Sequence, residues 1–223
     1  MSNERPVEPP LTPRAEEQPE LDSKTARGVA WICRSRAQMW EVLAEVLGEP
    51  TDERVDLLRS GELEHRLQEA IEWLGDDAGR FLDTEMMLGL IGRRSKRLEV
   101  EADRADRRAK FAELFGPGAP FEDGHTLLLT RAAELAASCR EEAAAWAGEN
   151  GEEAKALRMA QAKVIEDDLA NVIPPWAHDL DEAATHPFGR MCARFTVSVL
   201  SIESGRDFES TVFRGAAPLT FSE

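Results

Sequence analysis

Two Glu-x-x-His pairs, Glu62 with His65 and Glu122 with His125, have the spacing that most directly points to chemistry. Residues three apart share a helix face, so each pair would aim a carboxylate and an imidazole at one metal ion. Carboxylate-bridged di-iron bundles use two such pairs with two further glutamates. Glu122-Asp123-Gly124-His125, however, follows Pro120 and precedes an apolar helical pattern, so it reads as loop or first turn rather than helix interior. His65 lies off the centre of the stripe Leu63, Leu67, where a solvated histidine is ordinary. His178 with Asp179 and Asp181 reads either as a cation site or as the solvated end of a helix. A metal-binding helical bundle stands as an alternative; the expectation is no resident metal and no cofactor.

Other reactive constellations are missing from the pattern. No serine sits in a G-x-S-x-G elbow, and no cysteine has a histidine close in sequence. Gly116-Pro117-Gly118 is followed by alanine, proline and phenylalanine and lacks the G-K-[ST] of a phosphate loop. Four histidines leave few partners for acid–base work. The chain is expected to bind rather than to catalyse, and not to be an enzyme.

These residues belong to a 223-residue chain that is 42% hydrophobic and 31% charged, the balance of a soluble globular protein. Its formal charge is −16, from 43 acidic against 27 basic residues. Such a field repels nucleic-acid phosphates and anionic headgroups and attracts cationic segments, so no nucleic-acid partner is expected. No apolar run approaches the roughly 18 residues that span a bilayer, so no membrane insertion is expected. Met1 to Asp22 has no basic region followed by an apolar stretch, which is not the pattern of an export signal. Cys33, Cys139 and Cys192 are scattered and odd in number, as reduced thiols are. The expected compartment is cytoplasmic.

The elements that would position a site are helices. Residues 1–22, rich in proline and glutamate, read as a disordered tail, 23–214 as one all-α domain, and 215–223 as a shorter tail in which Leu219 and Phe221 could dock. Val29, Ile32, Cys33, Ala37, Trp40, Leu43, Ala44 and Leu47 recur at three- and four-residue steps, predicting a long helix that Gly48 and Pro50 stop. Further stripes run through Val55 to Leu74, Phe81 to Ile91 and Leu98 to Phe115, the last broken by Gly116-Pro117-Gly118. Leu128 to Trp146 predicts another long helix, broken over Gly148 to Gly151. Leu157 to Trp176 continues the pattern, with Pro174-Pro175 forcing a kink or a restart, and a last helix starts at Pro187. No stretch alternates with period two for long.

The basic residues Arg93, Arg94, Lys96, Arg97, Arg104, Arg107, Arg108 and Lys110 are interleaved with acids at ion-pair spacings and read as a self-paired, solvated face. The tryptophans 31, 40, 73, 146 and 176 mostly fall on or beside apolar stripes, where core packing is their ordinary role. Trp176 is set apart by the helix break at Pro174-Pro175, where a ring can line a groove.

Two stretches also resemble a known family. Phe111-Ala-Glu-Leu-Phe115-Gly116-Pro117-Gly118-Ala-Pro120-Phe121-Glu122 is similar to a helix end and loop of the TorD/DmsD/NarJ family, in which an aromatic–x–x–Leu–Phe run enters Gly-Pro-Gly and a proline–aromatic–acidic turn. Ile173-Pro174-Pro175-Trp176-Ala177, then Thr185-His186-Pro187-Phe188, resembles that family's C-terminal helix pair, with its Pro-Trp break and Pro-Phe helix start. The likeness spans residues 26 to 204 in order of elements. It implies a single TorD-like helical domain and a cytoplasmic, system-specific chaperone for molybdenum oxidoreductases of the dimethyl sulfoxide reductase type. The implied partner is the catalytic subunit, its twin-arginine leader, or both, held back from export until the cofactor is inserted. The family's Asp-His motif has no counterpart between the two stretches; Glu166-Asp167-Asp168 supplies acidic character there on another frame.

A twin-arginine leader offers two guanidinium groups followed by an apolar helix-forming segment. It suits an apolar groove rimmed with carboxylates, where charge-assisted bidentate contacts hold arginine. The candidate rim is Glu122, Asp123, Glu166, Asp167 and Asp168, and the candidate walls are Phe115, Phe121, Trp176 and Phe188. Gly116, Pro117, Pro120, His186 and Pro187 shape the two turns. A general helical adaptor is the remaining alternative.

Overall fold

The computed structural model describes residues 23–48, 51, 60–62, 65, 66, 69, 123–184 and 187–214. Among them 86% are helical and none lies in a strand, so the fold is all-α. The elements are α1 (Ser23–Leu47), α2 (Asp123–Ala147), α3 (Gly151–Val164), a π-helical turn (Ile165–Leu169), α4 (Ile173–Ala183), α5 (Pro187–Ser204) and the short α6 (Glu209–Val212). Residues 62, 65, 66 and 69 are also helical. The tails and the stripes between Val55 and Phe115 fall largely or wholly outside the described residues. So do the basic cluster from Arg93 to Lys110 and the loop residues Phe115, Gly116, Pro117, Pro120, Phe121 and Glu122, together with His186.

Local chemistry sets the boundaries. α1 ends at Leu47, and the Gly48 amide closes the last turn on the Ala44 carbonyl at 2.9 Å. Between α2 and α3 the chain reverses through Glu149, a non-glycine residue held at φ 60°. Asn150 then caps α3: its side chain accepts from the Glu153 amide at 3.3 Å and donates to the Glu153 carboxylate at 2.7 Å. Glu152 and Glu153 add negative charge at the positive end of that helix. Pro174 and Pro175 fall in the first turn of α4, where missing amide protons cost nothing, so the pair restarts a helix rather than kinking one. Pro187 opens α5.

α1 and α2 share the most extensive helix–helix contact among the described residues. Leu47 meets His125 and Arg36 meets Glu142, so the two helices run antiparallel. The main core gathers Trp40, Leu43 and Leu47 of α1, Leu128 and Leu135 of α2, Ile165 and Leu169 of the π turn, Trp176 and Leu180 of α4, and Phe195 and Val199 of α5. α5 is buried on every side from Met191 to Leu200, as a central helix. A smaller cluster, Ala30, Cys33, Ala143, Trp146 and Ala154, joins the other end of the α1–α2 pair to α3. No helix among the described residues is long and apolar enough to cross a membrane.

Candidate functional site

The first turn of α2, which directly follows the first of the two stretches in sequence, packs against the tryptophan of the second. Gly124 is there because nothing larger fits: a Cβ on it would lie 2.6 Å from Cγ and Cδ1 of Trp176. His125 stacks on the same indole, with ring centroids 6.4 Å apart and planes at 29°. Its Nε2 lies 2.8 Å from the Leu47 carbonyl oxygen. A carbonyl only accepts, so Nε2 carries the proton and caps one of the last carbonyls of α1. Trp176 is therefore wedged between α1's end and α2's start, 6% exposed. It packs as core, where a groove wall was expected. The reason is the restart at Ile173, which puts Trp176 on the same inward face as Ala177 and Leu180.

Two turns further along α2, Arg131 pairs with Glu134 and, at 2.8 Å, with Asp168 of the π turn. The π turn closes with the Ala170 amide on the Ile165 carbonyl at 2.8 Å. Ile165 and Leu169, four residues apart, both enter the core while Glu166 and Asp167 face outward. Glu166 is paired with Arg206, whose guanidinium also lies over Phe208, 5.9 Å from the ring centroid. Of the three acids, Asp168 is half-buried and tied to Arg131, Glu166 is tied to Arg206, and Asp167 is exposed. Asp123 is the first residue of α2, and Pro187 and Phe188 are the first two of α5.

The metal reading fares differently at its two pairs. His125 has committed Nε2–H to Leu47, while Glu122 lies outside the described residues. His65 is exposed and sits 3.5 Å from Glu69, one turn on, with Glu62 exposed beside it. Among the described residues no group of three or more His, Cys, Asp or Glu side chains could hold a metal ion.

His65 and Glu62 instead line an open groove of about 590 Å³ between α1, α2 and residues 62, 65, 66 and 69. Its floor is Ala37, Ala143, Ala144 and Ala147, and Arg34, Gln38, Glu41, Arg66, Glu69 and Arg140 form its rim. The rim is largely self-paired: Arg66 reaches Glu41 and Glu45 at 2.9 Å each, and Arg140 pairs with Glu41.

A buried ion network escaped the sequence reading altogether. Arg36, 4% exposed, grips Glu203 of α5 through Nε at 2.7 Å and Nη2 at 2.6 Å. It also donates to Glu142 of α2 at 2.9 Å and to the Gln161 side-chain oxygen of α3 at 2.8 Å. Four helices thus meet on one guanidinium. Arg158, at the surface, lies 3.6 Å from Glu203 and offsets part of the second carboxylate's charge. Burial opposes the Arg36 charge, but the Glu203 carboxylate outweighs it and holds the group above its ordinary range. The two neighbouring thiols go the same way. Burial, then Glu142, pushes Cys33 up to about 11; burial, with Glu203 and Glu142 partly countered by Arg36, pushes Cys139 up to about 12. Both are neutral, unreactive thiols at neutral pH.

Compared with models of protein families, with curated proteins and with solved structures, the chain matches none.

Proposed function

We propose that this protein is a chaperone of the TorD/DmsD/NarJ type, which binds the catalytic subunit of a dimethyl-sulfoxide-reductase-type molybdenum enzyme, or its twin-arginine leader, before export. One observation carries the reading. The Gly-Pro-Gly stretch ends immediately before Asp123, and the Pro-Pro-Trp stretch seats its tryptophan on Gly124 and His125. At this locus Gly124 and His125, which directly follow the first motif in sequence, therefore hold the tryptophan of the second motif, some fifty residues further on, in an all-α body.

The chemistry of that locus suits a cationic ligand with an apolar continuation. Asp167 is exposed on the π turn, and Glu166 and Asp168 beside it hold arginines of the chain itself. Each carboxylate has acceptor sites for more than one guanidinium N–H, so an incoming arginine can share or displace Arg131 or Arg206. Trp176 does not meet the ligand in this account; it fixes the angle between the start of α2 and the start of α4. The start of α2 lies about 12 Å from Arg131, eight residues along the helix.

The test is a titration of the full-length protein with a twin-arginine leader peptide of a dimethyl-sulfoxide-reductase-type molybdenum enzyme, and with the mature subunit. Binding that weakens as salt rises supports the reading, because exposed carboxylate–arginine contacts are screened. Absence of binding to both the leader and the mature subunit at moderate salt would remove it.

A further inference from the structure

The two halves of α1 differ in their surroundings. Met39, Val42 and Val46 lie on one face of its C-terminal half and are buried. Steps of three and four carry that face back through Ser35, Ile32 and Gly28, with Trp31 alongside. There it is uncovered: Trp31 is 57% exposed, Ile32 is 43% exposed, and a Cβ on Gly28 would meet open space. α5, whose Glu203 reaches Arg36, ends at Ser204.

Charge singles out the same half-helix. Residues 23–40 contain Lys24, Arg27, Arg34 and Arg36 and no acidic residue, in a chain whose acids outnumber its bases 43 to 27. Lys24 stands in the first turn, where the helix dipole disfavours a cation. Lys24, Arg27, Trp31 and Arg34 follow one another at steps of three, four and three, making one exposed basic–aromatic stripe. Lys24 and Arg34 form no ion pair with any described residue. Arg34 also lines the alanine-floored groove, so the stripe runs into a concave surface.

We infer that this stripe is a second docking surface, which takes an acidic, amphipathic segment of a partner protein. Carboxylates meet Lys24 and Arg34, and an apolar side chain packs on Trp31 and Ile32. Tryptophan and arginine are the residues that most often carry binding energy at interfaces. A nucleic acid or an anionic membrane shares the charge, and the −16 field of the whole chain opposes every acidic ligand at long range, so binding here depends on local contacts. A stripe that carries exposed Trp31 and Ile32 and runs into a concave groove fits an amphipathic protein segment. The surface lies about 24 Å along α1 from its Leu47 end, sixteen residues at helical rise. A cationic leader is repelled from it, so it stands whether or not the leader is the ligand at α2.

The experiment uses two labelled amphipathic peptides of equal apolar content, one with glutamate and one with lysine at its polar positions, titrated by fluorescence anisotropy. The glutamate peptide binds the full-length protein. Trp31→Ala, and separately Lys24→Glu with Arg34→Glu, each weaken it by about tenfold or more with unchanged helicity and melting, and leave the lysine peptide unaffected. No binding of the glutamate peptide, or equal binding by the variants, overturns the inference. A dimer in sedimentation that Trp31→Ala dissolves overturns it in favour of a second copy. Binding to phosphatidylglycerol vesicles that the charge reversal abolishes overturns it in favour of a membrane.

Discussion

Arg36 sits where a leucine would be expected, between Cys33 and Trp40 on the apolar stripe of α1, and Glu142 and Glu203 interrupt their own stripes in the same way. A charge on a stripe reads as solvated until its partners are known, and these lie 106 and 167 residues away. That is why the network was not legible in the sequence. Truncating one member strands buried charge: Arg36→Met should cost about 3–5 kcal/mol, whereas replacing Arg36, Glu142 and Glu203 together by apolar residues of similar volume should cost far less. Urea denaturation of the variants separates the two outcomes. Gly124→Ala should destabilise by about 1–3 kcal/mol, because its Cβ has no room against the indole of Trp176. Glu149→Gly should do the opposite, raising stability by up to about 1 kcal/mol by relieving a left-handed non-glycine residue. The thiols supply a pH dependence. Their folded values, about 11 and about 12, exceed the ordinary 9.0, so the unfolded chain loses its thiol protons first as pH rises. Their contribution is complete below about pH 9 and is lost between there and pH 11–12. A Cys33→Ala, Cys139→Ala variant should show a flatter decline over that window in thermal melts.

Helix boundaries were the most legible elements, because they are written locally. Gly48 before Pro50, the Gly148–Gly151 break and Pro187 fall where the helices end and begin. The π turn was not legible: no residue type encodes an i→i+5 closure. Trp176 was placed correctly at a helix start, yet its burial depended on which way α4 leaves that start. The exposed half of α1 went unread: its run of basic residues without an acid stands in the sequence, but only the uncovered face gives that run a surface. At the π turn, Asp167→Ala should leave stability within about 0.5 kcal/mol, since the side chain is exposed. Under the proposed function it should also weaken leader binding, and anisotropy titration alongside a melt reads both.

Taken whole, the molecule places two surfaces of opposite charge at the two ends of one helix pair. The acidic π turn lies along the first turns of α2, and the basic–aromatic stripe lies on the first turns of α1, with the Arg36 network between them. α1 links them as a rigid rod whose ends are fixed by His125 on one side and by the small Ala30–Trp146 cluster on the other. The net charge of −16 adds a long-range attraction for cationic ligands that fades with salt. The central claim, that the chain recognises a twin-arginine leader, is tested most directly by comparing that leader with the same peptide carrying two lysines in place of its arginines. Full-length protein is titrated with each at low and at moderate salt. The account predicts binding of the arginine form, weaker binding of the lysine form because lysine lacks the planar bidentate fork, and loss of affinity for both as salt rises. Equal affinity for the two peptides, or affinity indifferent to salt, would contradict it.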